Sequence, residues 1–125
     1  MAVLKIEATE RTPSVELSGP PWRLNLTGES YPEDVSAFYG QVILAVDDLQ
    51  QGPVHPLHVE LALVYINSSS IKALYRIFEG LDSCRQKGWP VQVLWRFTED
   101  DDIMQELGED FKDRFPELAM VIEAH

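Results

Sequence analysis

Cysteine is nearly missing from this chain: Cys84 is the single one among 125 residues. No disulfide can therefore form within it. Basic side chains are also scarce. Ten lysines and arginines stand against 21 aspartates and glutamates, a formal net charge of −11. So negative a chain repels phosphate backbones and anionic lipid, which argues against nucleic acid and membrane as partners. No apolar run nears the roughly 18 residues of a membrane span. The opening MAVLKIEATE has no basic segment leading into an apolar one, so it does not read as a signal peptide. Together these absences place the protein in the cytoplasm. A glycine-rich phosphate loop, a Gly-x-Ser-x-Gly elbow and a nucleotide fingerprint are missing too, and no cofactor is expected.

Histidine is sparse as well. His55 and His58 flank Pro56, and His125 ends the chain. The first two lack the i, i+4 helical spacing of a metalloprotease pair, and no Cys-x-x-Cys completes a zinc site. They read as surface or edge residues. Cys84 lies near a helical apolar stripe, with no base beside it to make a reactive thiol. The densest acidic stretch is Glu99 to Asp102, followed by Glu106, Glu109 and Asp110. It lacks the alternating oxygen ligands of a calcium loop. Acids at a helix start favour the helix through its macrodipole, so the stretch reads as a solvated helix or a docking surface, and no metal site is expected.

What is present is an ordinary globular composition, 45% apolar, in one domain spanning residues 1–125. Val3 to Ala8, Ser14 to Leu17 and Trp22 to Thr27 read as short strands, broken by Arg11-Thr12-Pro13 and Gly19-Pro20-Pro21. A helix follows, with Pro32 in its first turn and Ser30 or Tyr31 before it. Val35, Phe38, Tyr39, Val42, Ile43, Val46 and Leu49 form its stripe. Leu57 to Ile66 alternates as a strand, and its far end is apolar on both sides, which predicts burial on both faces. A second helix carries Ile71, Leu74, Tyr75, Phe78 and Leu81 and ends at Lys87-Gly88. Val91 to Phe97 is a strand, Asp100 to Phe115 an acidic helix, and Leu118 to Glu123 a last strand. The order β-β-β-α-β-α-β-α-β argues for an α/β fold with a mixed sheet of about five to six strands. Polar residues persist on one side of the strands. Helices are therefore expected mainly on one face, with the other partly open.

Between the fourth strand and the second helix stands Asn67-Ser68-Ser69-Ser70. A cap explains part of it: Asn67 or Ser68 accepts from free N–H groups of the first turn, contributing about 1 kcal/mol. A cap does not need three hydroxyls. The site is also the carboxyl end of a strand meeting a helix start, where functional groups gather in open α/β sheets. Lys72, in the first turn, opposes the macrodipole, yet becomes favourable once a dianion is attached nearby.

In IEATERTPSV, YPEDVSAFY, LVYINSSSIKAL and VLWRFTEDDDIMQELGEDF the chain resembles the SiaC family of bacterial regulatory phosphoproteins. Its element order is also similar to the STAS fold of anti-sigma-factor antagonists. The resemblance implies a non-enzymatic switch. A Ser/Thr protein kinase would phosphorylate the hydroxyl residue after the motif's Asn, here Ser68, with Ser69 the second choice. A PP2C-type phosphatase would reverse the step. The unphosphorylated form would bind and activate a GGDEF diguanylate cyclase, raising cyclic-di-GMP and favouring biofilm. The contact surface would comprise Asn67, Ser69, Ser70, Lys72, Tyr75 and Arg76. An anti-sigma-factor antagonist in a partner-switching module shares the chemistry with a different output. A small hydrolase or metal enzyme using the acidic segment is the reading from another class.

Overall fold

A computed structural model describes residues 2–125. Nine elements follow in the order β1 (Ala2–Ile6), β2 (Ser14–Ser18), β3 (Trp22–Ser30), α1 (Val35–Leu49), β4 (Leu57–Ile66), α2 (Ser68–Gln86), β5 (Val91–Phe97), α3 (Asp102–Arg114) and β6 (Ala119–Ala124). The six strands form one mixed sheet, in the spatial order β1-β2-β3-β4-β5-β6. The first two pairings are antiparallel and the last three parallel. Each parallel step is bridged by one helix, and each step moves the same way across the sheet. Right-handed crossovers that all advance in one direction stack their helices on one face.

Burial follows from that. Val15 and Leu17, Leu24 and Leu26, Leu57, Val59, Leu61 and Leu63, and Val91, Val93 and Trp95 are all buried, and each alternates with a more exposed neighbour. Tyr39, Val42 and Val46 of α1, Leu74, Phe78 and Leu81 of α2, and Met104 and Phe111 of α3 close the core from the helical side. The opposite face of the sheet stays open. It carries Arg23, Asn25, His58, Glu60 and Gln92 around a shallow depression.

Two sequence expectations need correction here. Pro32 precedes α1 instead of opening it: Asp34 is the cap, its side chain accepting from Ala37 N–H at 3.0 Å. Ser30 belongs to the end of β3, where it is buried. The far end of β4 is not covered on both faces either: Val64 and Tyr65 are about half exposed. The physical reason is that β5 pairs with β4 only as far as Leu61 opposite Trp95. Beyond that point one neighbour is gone, and β3 shifts register at Gly28, whose φ is +123°.

Candidate functional site

The carboxyl ends of β4, β5 and β6 share one rim of the sheet, because those strands run parallel. The serine turn lies there. Asn67 N–H donates to Ser30 C=O at 3.0 Å, which ties the turn to the end of β3. The Asn67 side-chain oxygen accepts from Ser70 N–H at 2.9 Å, so Asn67 is the cap of α2. That leaves Ser68 and Ser69, in the first turn, free of capping duty, and both are exposed. Their N–H groups have no intrahelical acceptor. An oxyanion attached to either hydroxyl meets unpaired donors and the positive end of α2.

Ser70 differs from its neighbours. It is wholly buried, and its hydroxyl has no partner among the described residues. It therefore cannot belong to a contact face as the sequence reading has it. Buried polar chemistry lies at the end of β3 as well: the Ser30 and Tyr39 hydroxyls are hydrogen-bonded to each other. Desolvation raises the pKa of Tyr39, opposed by that bond to Ser30. Tyr31 and Tyr65 meet edge to face with ring centroids 5.4 Å apart.

Lys72 and Arg76 are exposed on α2, one and two turns beyond the serines. With Ser69 they line a groove of about 620 Å³ that also meets Glu33, Asp34 and Tyr39 at the start of α1. On their other side they line a second groove of about 420 Å³, shared with Tyr75, Glu79, Arg114 and Phe115. Tyr75 is half-buried and stacks on Phe111 at 4.4 Å between centroids. The Arg114 guanidinium lies 5.2 Å from the Tyr75 ring centre. The structure thus groups Ser68, Ser69, Lys72, Tyr75 and Arg76 along one helix face and sets Ser70 apart.

A match to a family model decides the affiliation: residues 6–125 fit the model described as SiaC family regulatory phosphoprotein. The chain belongs to the SiaC family. Its similarity to an uncharacterized protein of Pseudomonas aeruginosa is 35% identity, covering 100% of this chain and 98% of that one. Among solved structures, apo-SiaC from Pseudomonas aeruginosa superposes with a TM-score of 0.88 at 35% identity, over 97% of this chain and 98% of that one. A second match comes from the structure of the diguanylate cyclase SiaD in complex with its activator SiaC, also from Pseudomonas aeruginosa. It has a TM-score of 0.92 at 34% identity and covers 98% of this chain and 99% of that chain. The mixed sheet with three helices is thus the fold of SiaC structures.

Within this SiaC-family fold, residues outside the serine turn fill local roles. Asp101 caps α3, accepting from Met104 N–H at 3.1 Å, and Asp100 precedes it at a positive φ of 76°. Among the described residues no three acidic, histidine or cysteine side chains converge as metal ligands would. His55 packs near the Trp89 ring, and His58 is exposed on the open face of the sheet. Cys84 is buried, and burial pushes its thiol up to about 11. No described helix is long and apolar enough to cross a membrane. The sequence reading missed Arg114, which meets the Tyr75 ring because α3 packs Phe111 against Tyr75. Its signal was faint: an arginine three residues after the buried Phe111, in the last turn of an acidic helix.

Proposed function

We propose that this protein is a cytoplasmic, non-enzymatic switch in which residues 1–125 act as one regulatory domain. Unphosphorylated, it binds and activates a GGDEF diguanylate cyclase, raising cyclic-di-GMP and favouring biofilm formation. A Ser/Thr protein kinase ends that state at Ser68, with Ser69 the second acceptor, and a PP2C-type phosphatase restores it. The observation that carries the reading is the match, over 98% of this chain, to the activator SiaC in its complex with a cyclase. The site supports it independently. Ser68 stands exposed at the start of α2, while Asn67 already does the capping. Transfer of the γ-phosphoryl group of ATP forms a new P–O bond to the hydroxyl oxygen and breaks the bond to ADP. The hydroxyl proton passes to the kinase's base. The product carries about −1.5 to −2 charges on a helix start that welcomes an anion, and the fold accommodates it. A docked partner surface would have to desolvate the same charge, and that opposes binding.

The test is phosphorylation by the cognate kinase with mapping of the modified residue, beside a cyclase assay. Ser68→Ala is expected to escape modification and still activate the cyclase. Ser68→Asp is expected to weaken activation. Phosphate reproducibly outside Ser68 and Ser69, or capture of an anti-sigma kinase with no cyclase, overturns the reading.

A further inference from the structure

The chain carries 21 acidic side chains. Even so, Lys72, Arg76 and Arg114 are exposed, and none lies within ion-pair distance of a carboxylate among the described residues. Glu79 borders the same groove without reaching them. Glu33 and Asp34 border the groove that Lys72 and Arg76 share with Ser69, but Glu33 pairs with Arg11 and Asp34 caps α1, so the three cations stay unpaired among the described residues in a molecule with two acids for every base. The group is also organised. Arg114 rests on the Tyr75 ring, and that ring is held by stacking on the buried Phe111. A guanidinium over an aromatic face keeps its N–H fork available to a carboxylate while its plane is occupied.

We propose that Lys72, Arg76 and Arg114, with Tyr75 and Phe115 between them, form a docking strip for an acidic segment of the partner protein, and that a phosphoryl group on the serine turn silences this strip by taking its cations. The proposal rests on the switch reading above and specifies its contact chemistry. Charge complementarity selects the occupant: a segment presenting carboxylates to the three cations and an apolar side chain to the two rings. A positively charged or nucleic-acid ligand is excluded by the strip itself or by the −11 background. The silencing follows from helical spacing. Ser68 and Lys72 are four residues apart, Ser69 and Lys72 three, and such pairs are neighbours on a helix surface. Arg76 lies one further turn along the same face, and it shares one groove with Ser69 and Lys72. A phosphoryl dianion there is an internal competitor, present at high effective concentration, for the cations an acidic partner needs.

The first measurement is binding of the unphosphorylated chain to its cognate diguanylate cyclase at several salt concentrations. Arg76→Glu/Arg114→Glu is compared with wild type after circular dichroism confirms folding. The wild-type affinity is expected to fall steeply as salt rises. The double reversal should weaken binding at least about tenfold and flatten the salt dependence. Wild-type binding with an unchanged affinity and slope in the variant overturns the strip. The second measurement is a phosphorus NMR titration of the chain carrying phosphoserine at position 68. The second ionisation is expected below the ordinary value of about 6, returning toward it in Lys72→Gln/Arg76→Gln. An unshifted titration in the wild-type background overturns the silencing. If the wild-type chain binds no cyclase, the switch reading fails, and the titration alone then decides the capture of Lys72 and Arg76 by phosphate.

Discussion

Gly108 in α3 sits against the indole of Trp95, one of the largest fully buried side chains. A Cβ at that position would lie 2.6 Å from Trp95 Cδ1 and 2.7 Å from Nε1. The ring cannot retreat freely, because its N–H donates to Met104 C=O at 3.0 Å. Gly108→Ala is therefore expected to cost about 1–3 kcal/mol, through overpacking that outweighs any gain in helix propensity; urea unfolding measures it. A second residue-scale prediction concerns alkaline pH. Burial pushes the Cys84 thiol from its ordinary 9.0 to about 11 and raises Tyr39 from 10.0. Both groups hold their protons more tightly folded than unfolded. The Cys84 contribution is complete below about pH 9 and is lost as pH rises through the window from 9 to 11, while that of Tyr39 is complete below pH 10 and is lost above it. Urea midpoints should fall across that window, and less so in Cys84→Ala. Of these residues, Cys84 was legible as structural from its place on an apolar stripe. Gly108 was not, since nothing near it in sequence names Trp95.

Among the elements, α2 carries the site, and its first turn depends on one side chain. Asn67→Ala removes the acceptor for Ser70 N–H and is expected to cost about 1 kcal/mol, read from chemical unfolding. Hydrogen exchange should show the loss concentrated in the first turn of α2. The helices and the central strands were readable from periodicity, and β1 and β2 from the turn residues that bound them, because the apolar spacing of a one-sided sheet covered by amphipathic helices differs sharply between elements. The errors lie at ends. Tyr65 and Val64 look like core residues by composition, but their exposure is set by where β5 stops pairing, which is a long-range fact. Helix α1 starts later than the Pro32 signal suggests, capped by Asp34, because β3 continues to Ser30. At the serine turn, the division of labour was half legible. The cap was recognisable, while the burial of Ser70 and the approach of Arg114 come from tertiary packing.

At the scale of the whole molecule, the switch reading requires that phosphate alter company and not architecture. Phosphoserine at position 68 is expected to change the unfolding free energy by less than about 1 kcal/mol, in the stabilising direction, because an anion at an exposed helix start is weakly favourable. Differential scanning calorimetry of modified and unmodified protein checks this. A loss of several kcal/mol would mean that the modification disrupts the turn it occupies. The strictly sequential sheet has a practical corollary. Its two borders are separated by five strand spacings of about 4.8 Å, about 24 Å in all. β1 forms one border and β6 the other. His125 N–H bonds to Phe97 C=O at 2.9 Å, so the last residue lies on the same rim as the serines. Affinity tags, fluorophores and surface tethers therefore belong on the amino terminus; appended to His125, they would crowd the approach that binding experiments are meant to measure.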